Sequence, residues 1–314
     1  MANCSITPTS LAIAAMGVDA QEPTSKPTAP PSLIAVAQQL ALELAGLSPG
    51  LIDGKIGPKT RVATREFQIA RKLGPSGELD PATLIALGAS SIEPTRNYAI
   101  TPDDAKDVGG PLPTDWNEKA RLDRLRYESF AQLVAERGMT SIATVEWLNP
   151  GVKLDKLKAG DVVKIPNSSA VEAVRLETLA SLEIDLTNKL VRGRNAAGVT
   201  VALFPCSVAK DKSNLPKGDA RTYQPILDPT YSFKPASWPE VHNVTRELLI
   251  NPGPRNPVGL CWIGLSLPGY GIHGTPVPEM IGKTGSHGCI RLTNWHAVRL
   301  GKSVVAETPV KFIR

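Results

Sequence analysis

The spacing of apolar residues changes along this 314-residue chain, and the change limits the folds that it can adopt. Up to about residue 88 the apolar residues recur every three or four positions, which is typical of helices with one buried face. From about residue 168 they alternate with polar residues, which is typical of half-buried strands. Because the length suffices for two or three cores, we expect a multi-domain α+β protein.

Residues 31–88 are predicted to form a small three-helix module. In SLIAVAQQLALELAGL the apolar positions fall on one face of a helix. A second helix is predicted to begin at Pro58. A third has Asp80 as its N-cap, Pro81 in its first turn and Gly88 at its end.

Residues 89–167 are predicted to form a βααβ unit with an insertion. NYAITPDD suggests a short strand, and GDVVKIP suggests a second one. Two helices with Ser129 and Ser141 as N-caps lie between them. A polar, proline-containing insert at 102–126 interrupts the unit after its first strand.

Residues 168–314 are predicted to form a mainly β domain, a sandwich or open barrel. SLEIDL and VTVALFP alternate in the manner of strands, and we expect them to form a hairpin that turns near Gly193 to Gly198. VGLCWIGLSL is a further predicted strand, and NWHAVRLGKS is the one clear helix of this block.

The segment GIHGTPVPEMIGKTGSHGCIRL holds two of the four histidines and one of the four cysteines. A cysteine is a strong nucleophile, but its free pKa of about 8.5 leaves it mostly protonated near neutral pH, so it needs a base or a positive dipole. His273 and His287 are the candidate bases for Cys289. Gly288 permits close approach of a substrate, and backbone N–H groups in such a turn can stabilise the oxyanion of an acyl transfer.

This segment has two interpretations other than catalysis, a structural role and metal binding. A single buried cysteine or histidine is usually structural, but a cluster in a polar, glycine-rich stretch is unlike a core. His273, His287 and Cys289 are also metal-ligand types. Since the chain has no CxxC or CxxH spacing, we expect neither a metal nor a cofactor.

The first two blocks resemble modules that bind the bacterial wall. GLIDGKIGPKTRVATREFQ followed by GPSGELDPATLIAL resembles the small peptidoglycan-binding domain of wall enzymes. This resemblance implies a binding surface near the loop from Asp53 to Lys59, although tight turns also require such Gly and Asp residues. WLNPGVKLDKLKAGDVVKIPN resembles a divergent LysM module, a carbohydrate-binding unit; with its insert, the block either binds glycan or is a spacer that kept the fold.

The third block resembles the L,D-transpeptidases, bacterial cysteine enzymes that remodel peptidoglycan. The resemblance rests on GIHGTPVPEMIGKTGSHGCIRLTNWHAVRL, and NPGPRNPVGLCWIGLSLPGYG and ETPVKF also fit. It implies that Cys289 is the acyl-accepting nucleophile, that His273 is its base, and that the backbone of Gly288 and Cys289 supplies the oxyanion donors. Ser286 and His287 complete the motif. His296 stands where the family commonly has an acid, and we expect it near the site or on the surface.

The same resemblance implies three substrate-binding residues, Gly274, Thr275 and Arg291. An arginine fork matches a carboxylate of the stem peptide, and a structural ion pair is the alternative for Arg291.

The implied reaction is a two-step acyl transfer on peptidoglycan stem peptides through a Cys289 thioester. The acceptor can be another stem peptide, giving a cross-link, or water, or the amine of an outer-membrane or wall-anchored protein. Carbapenem-type β-lactams are expected to acylate Cys289. A non-catalytic protein that binds peptidoglycan stem peptides and glycan strands is the alternative from another class.

The leader, the net charge and two further cysteines give additional predictions. Residues 1–30 are either a remnant export signal or a disordered leader, because LAIAAMGV lacks a preceding positive region. The catalytic motif predicts export to the periplasm or wall, with a natural start other than Met1. No apolar run is long enough for a transmembrane segment, and the net charge of +5 is scattered, so no nucleic-acid partner is expected. Cys206 and Cys261 form either a disulfide or two buried thiols.

Overall fold

The computed structural model describes residues 30–238, 241–283 and 288–314. Its α-helices are α1 Leu33–Leu44, α2 Pro58–Ala70, α3 Pro81–Leu87, α4 Pro102–Lys106, α5 Trp116–Lys119, α6 Phe130–Arg137, α7 Ile142–Leu148, α8 Ser169–Ala173 and α9 Asn294–Gly301. Its strands are β1 Thr95–Ala99, β2 Val162–Pro166, β3 Ser181–Asp185, β4 Leu190–Arg194, β5 Thr200–Pro205, β6 Ala220–Arg221, β7 Ile226–Leu227, β8 Tyr231–Phe233, β9 Leu248–Ile250, β10 Cys261–Gly264, β11 Gly271–His273, β12 Ile290–Arg291 and β13 Pro309–Ile313. The chain thus has a helical N-terminal region and a β-rich C-terminal domain, as the apolar spacing predicted.

Helices α1 to α3 form the first block, and local sequence explains where they begin and end. Asp80 caps α3 by accepting a hydrogen bond from the Thr83 N–H at 2.8 Å, and Gly88 ends this helix with a left-handed φ of 63°. Pro58 is the first residue of α2, where its missing N–H costs nothing. These predicted helix boundaries are confirmed.

The second block contains a two-stranded antiparallel sheet of β1 and β2, in which Asn97 pairs with Lys164. Helices α6 and α7 lie between these strands in sequence and pack on the sheet through a shared apolar cluster. The Ser129 and Ser141 side chains accept hydrogen bonds from the first turns of α6 and α7, so both predicted N-caps are confirmed. Apart from α4 and α5, which belong to the insert, the order is β-α-α-β, while the resemblance to LysM remains a prediction.

Two sheets enclose the core of the third block. The first has the strand order β5-β4-β3-β13-β6 and the second the order β12-β11-β10-β7. Their inner faces share one apolar cluster with helix α9, including Ile184, Phe204, Ile263 and Leu300. The mainly β prediction is confirmed at this level. The short helix α8 precedes the sheets and was not predicted.

The hairpin prediction for this block was wrong in its first turn. The chain already reverses after β3, and β3, β4 and β5 form a three-stranded meander. The turn is built by Asp185, whose carboxylate accepts hydrogen bonds from the backbone and side-chain amides of Asn188 at 2.8 Å, and by Lys189, which has a φ of 56°. This turn contains no Gly or Pro, so there is no strong turn signal in the sequence between β3 and β4. The apolar alternation continues into it, and for that reason the turn was not predicted.

The first block packs directly against the third block. Leu42, Phe67 and Leu203 belong to one buried cluster, and Leu47 forms a β-bridge with Leu203. Arg192 of β4 donates a hydrogen bond to Glu66 of α2 at 2.7 Å. Because these partners are far apart in sequence, the interface could not be predicted from local patterns.

Cys206 and Cys261 are free and fully buried, so of the two alternatives the pair of buried thiols holds. Burial raises the pKa of Cys261 to about 12. Cys4 lies outside the described residues. None of the helices in the described part of the chain is long and apolar enough to cross a membrane.

Candidate active site

A cleft of about 930 Å³ lies at the edge of the sheet with the strand order β12-β11-β10-β7. Both Cys289 and His273 line this cleft. The volume is in the range of clefts that hold a drug-sized ligand. One wall comes from the catalytic block, and the other includes residues of the insert between β1 and α6.

Strand register brings the two predicted catalytic residues together. Strands β11 and β12 run parallel, with Ile272 opposite Ile290 and His273 opposite Arg291. Cys289 immediately precedes β12, so it lies beside the first residue of β11, Gly271. Cys289 lies sixteen positions after His273 in the sequence, but pairing within one sheet brings both residues to the same cleft.

His273 is buried and held in one tautomer. Its Nδ1 lies 2.7 Å from the carbonyl oxygen of Gly274. Since a carbonyl can only accept, Nδ1 carries the proton and Nε2 keeps its lone pair. The pKa of His273 is lowered to about 4, mainly by burial; the bond to Gly274 opposes this shift and the charge of the Arg291 guanidinium adds to it. The imidazole is therefore neutral at physiological pH and can accept a proton.

Trp262 supports the ring of His273 from the adjacent strand. The two residues are paired across β10 and β11, and their rings stack with centroids 5.6 Å apart. The indole also lies directly over Gly271, where any Cβ would collide with it. Sequence reasoning placed Trp262 on a strand and missed this role.

Cys289 is half-buried and directly precedes β12. Its Sγ lies 3.7 Å from the carbonyl oxygen of Gly269. Burial raises the pKa of Cys289 above its usual range, while a hydrogen bond from the Gly271 backbone and the charge of Arg291 partly oppose the rise. The resting group is a thiol, so attack requires a base to remove its proton.

The other predicted site residues fall at different distances from the cleft. Gly288, Thr275 and Arg291 line it. Gly274 packs behind His273 against the Asn294 side chain, where its carbonyl orients the imidazole. Its predicted contact with substrate, like those of Thr275 and Arg291, remains a prediction.

Asn294, at the start of α9, was missed by sequence reasoning. Its amide donates hydrogen bonds to the carbonyl of Pro254 at 3.1 Å and to Glu136 at 3.3 Å, and its oxygen accepts from the Leu260 N–H at 3.2 Å. These bonds fix the loop before β10 against Gly274. The only sequence signal was its position shortly after the cysteine motif.

His296 was expected near the site or on the surface, and the expectation of a surface position was wrong. The side chain is 1% exposed and lies in the interface with α1. It packs on Phe204, with ring centroids 4.9 Å apart, so its role is in packing the blocks together.

The loop between His273 and Cys289 is anchored from outside its own sheet. Lys59 of α2 donates a hydrogen bond to the Ile281 carbonyl at 2.8 Å, and Lys189 donates to the Gly282 carbonyl at 2.9 Å. Lys59 ends the predicted wall-binding loop, so one end of that loop contacts the catalytic block. Asp53, at its other end, accepts a hydrogen bond from the Lys55 N–H at 2.9 Å, as turn chemistry predicts.

Ser286 and His287 lie outside the described residues. Within the ranges that the structure does describe, no group of three or more His, Cys, Asp or Glu side chains is arranged to hold a metal ion.

Comparison with known proteins agrees with this geometry. A family model described as "L,D-transpeptidase catalytic domain" matches residues 180–311, and one described as "Putative peptidoglycan binding domain" matches residues 36–87. "Putative L,D-transpeptidase YkuD" of Bacillus licheniformis is 28% identical over 183 residues, which cover 58% of this chain and 92% of that protein.

Two further matches belong to the same group. A Fuscovulum blasticum protein, "Putative L,D-transpeptidase in ATP synthase subunits region ORF 5", is 30% identical over 132 residues, covering 42% of this chain and 68% of the relative. The solved catalytic domain of an Enterococcus faecium ("E. faecium") L,D-transpeptidase acylated by ertapenem aligns with a TM-score of 0.33 and 20% identity over 45% of this chain and all of that domain.

A cysteine thiol and a neutral histidine that line one cleft of a β-rich domain are the groups that nucleophilic acyl-transfer enzymes use. The sequence matches specify the family further: the chain belongs to the L,D-transpeptidases, and its C-terminal block is their catalytic domain.

Proposed function

We propose that Cys289 and His273 carry out acyl transfer on peptidoglycan stem peptides. The observation that supports this proposal is the parallel register of β11 and β12, which places a thiol and a neutral imidazole in one cleft. His273 Nε2 takes the thiol proton as Cys289 attacks the peptide carbonyl on the L-centre side of the third stem residue. The backbone N–H groups of Gly288 and Cys289 stabilise the oxyanion.

Collapse of the tetrahedral intermediate breaks the peptide bond. The protonated His273 returns its proton to the leaving amine, so the terminal D-amino acid departs and a thioester remains on Cys289. In the second step an amine acceptor loses a proton to His273, attacks the thioester and regenerates the thiol. A neutral resting histidine suits this cycle, because it is deprotonated at the start of each half-reaction.

The acceptor that we favour is a second stem peptide, which makes the product a cross-link. Water as acceptor would give an L,D-carboxypeptidase activity, and a protein amine would give wall anchoring. Arg291 and Thr275 line the cleft beside Cys289 and are our candidates for contacts to the donor peptide.

We further propose that residues 31–88 target the enzyme to peptidoglycan, and that the protein acts outside the cytoplasmic membrane, in the periplasm or wall. The match of residues 36–87 to a peptidoglycan-binding model supports the first point. The LysM-like assignment of residues 89–167 rests on the sequence resemblance and the β-α-α-β order, and glycan binding there is a separate proposal.

Intact-protein mass spectrometry after incubation with a carbapenem tests the nucleophile. One adduct on the parent protein and none on the Cys289→Ala variant is expected. Release of a terminal D-amino acid from a tetrapeptide stem should likewise disappear in Cys289→Ala and Cys289→Ser. If Cys289 is reduced and unblocked but takes no adduct, and stems are not processed, the catalytic proposal is wrong.

A further inference from the structure

The insert between β1 and α6 is built into the catalytic domain. The Leu125 N–H donates to the Pro252 carbonyl at 2.8 Å, and the Leu125 carbonyl accepts from the Arg255 N–H at 3.1 Å. At the same crossing Gly253, with a φ of 139°, meets the Leu125 backbone so closely that any Cβ would collide with it. The insert therefore has a defined position on the catalytic block.

Apolar and charged contacts extend this attachment. Trp116 of α5 stacks on Phe233 with ring centroids 4.3 Å apart and lies 5.7 Å from Trp238. Glu128 accepts a hydrogen bond from Arg255 at 2.7 Å. Since aromatic stacking and a part-buried, charge-assisted hydrogen bond both require precise placement, these contacts hold the insert as a wall against the catalytic block.

This wall faces the cleft that holds Cys289. Seven residues of the insert and the turn after it line the cleft: Leu112, Pro113, Thr114, Trp116, Lys119, Leu125 and Glu128. A segment that interrupts the second block in sequence thus supplies one side of the reaction site in the third block.

The charge of the cleft is positive on balance. Its described lining contains three permanent cations, Lys119, Arg255 and Arg291, and a single carboxylate, Glu128. That carboxylate is already bonded to Arg255. A ligand that brings a carboxylate would therefore meet an excess of positive charge in a partly dehydrated space.

Of the three cations in the described lining of the cleft, Lys119 is the one that the insert supplies. Its Nζ lies 4.6 Å from the centroid of the Trp116 ring, so the half-buried side chain is held in place by a cation–π contact. Among the described residues it forms neither an ion pair nor a hydrogen bond through Nζ. All three ammonium protons are thus free to bind an acceptor that enters the cleft.

We propose that Lys119, seated on Trp116, is a carboxylate-binding subsite of the active-site cleft, through which the insert selects stem peptides with a free carboxylate. This inference rests on the proposed function in one respect, that the cleft binds a stem peptide. The second block would then help to select the substrate of the catalytic domain that follows it. The insert that interrupts its βααβ unit would supply the residue that binds the carboxylate.

Binding can be measured without turnover. On the Cys289→Ala background, isothermal titration calorimetry compares a tetrapeptide stem whose carboxylates are free with the same peptide whose side-chain carboxylates are amidated. We expect the free acid to bind at least about tenfold more tightly, the scale of one charge-assisted hydrogen bond. Lys119→Met should abolish that preference, and Lys119→Arg should retain most of it.

The variants are matched so that a folding defect cannot pass for the result. Methionine keeps an unbranched stem on the Trp116 ring, and equal melting temperatures would show that the wall is intact. Lys106→Met is the control, because Lys106 is exposed and pairs with Asp103 away from the cleft; its acid preference should equal that of the parent.

The outcomes separate this inference from the proposed function. If Lys119→Met weakens both peptides equally, or neither, the carboxylate subsite is refuted even when carbapenem acylates Cys289. If the acid preference depends on Lys119 but Cys289 takes no adduct, the subsite stands and the catalytic proposal fails.

Discussion

Glu43 of α1 accepts a hydrogen bond from Nε2 of His296 on α9 at 2.9 Å, and the two side chains are 0% and 1% exposed. Arg299, one turn further along α9, donates to the Glu43 carbonyl at 2.8 Å. A carboxylate of the N-terminal module is thus buried against two basic groups of the catalytic domain. Burial alone would raise the pKa of Glu43, but His296 and Arg299 more than offset it, so the pKa is lowered.

We predict that Glu43→Ala destabilises the protein by about 3–5 kcal/mol, because it leaves a buried guanidinium without its counter-charge. Urea unfolding at pH 7 measures the change. Since the folded-state pKa of Glu43 is depressed, its contribution is present above the unfolded value near 4.5 and is lost as the pH falls through the folded value. Glu93→Ala, at an exposed site, is the control and should change stability by less than about 0.5 kcal/mol; equal effects of the two substitutions would contradict the interface assignment.

Gly271 is predicted to be essential for the placement of His273. A methyl group there would strike the Trp262 indole, which is rigid and already stacked on His273. Gly271→Ala should therefore shift the imidazole and slow acylation of Cys289 by a carbapenem at least about tenfold, as small misplacements of catalytic groups do. Gly74→Ala is the matched control, because no atom lies within 4 Å of its added Cβ, and an unchanged acylation rate in Gly271→Ala would exclude the steric argument.

The pH dependence of Cys289 reactivity should be that of a protonated thiol with a raised pKa, not that of a stable thiolate–imidazolium pair. Burial keeps its pKa above the usual range, and His273, with a pKa of about 4, is neutral above that pH. Alkylation of Cys289 by iodoacetamide, followed by peptide mapping, should accelerate about tenfold per pH unit between pH 6 and 9, since only the thiolate reacts. Acyl transfer should fall as the pH drops toward 4, where His273 gains a proton.

A plateau in alkylation between pH 5 and 8 would instead indicate a preformed ion pair. His273→Ala provides a second check. It should reduce acyl transfer on the order of 10²-fold or more, the typical contribution of a general base, while it alters the alkylation profile little, because the neutral ring does not set the thiol pKa.

Local chemistry explains which features could be predicted from sequence. The caps of α3, α6 and α7 depend on residues within a few positions of each other, and the HGT and SHGC motifs indicated Cys289 and His273 directly. The turn after β3 was missed because it is made by Asp185 and Asn188 side chains rather than by glycine.

Contacts between distant parts of the chain account for the rest. Trp262 could be assigned to a strand, but only pairing with β11 places it on His273. The position of the insert depends on bonds such as that between Leu125 and Pro252, which no local pattern encodes. The cysteine motif therefore predicted the chemistry, whereas the second wall of the cleft required the structure.

Glu136 of α6 is half-buried beside the catalytic domain, and replacing it with its amide isostere, glutamine, should stabilise the protein at alkaline pH. Burial raises the pKa of Glu136 to about 7, although Asn294, Tyr127 and neighbouring arginines oppose the rise. Since the folded-state pKa is raised, the native state retains the proton better than the unfolded chain, and stability is lost as the pH rises from about 4.5 through 7.

Glu136→Gln removes that titration and keeps an oxygen to accept the hydrogen bond from Asn294, which is 3.3 Å long in the parent. We expect the variant to melt at least about 2 °C above the parent at pH 8 and within about 1 °C of it at pH 5, consistent with a pH-dependent gain of about 1 kcal/mol. Thermal unfolding at both pH values checks this. Glu146→Gln, on the exposed face of α7, should show no such dependence. An identical shift for Glu136→Gln at pH 5 and pH 8 would mean that repacking, and not the buried charge, governs stability at this contact between the second block and the catalytic domain.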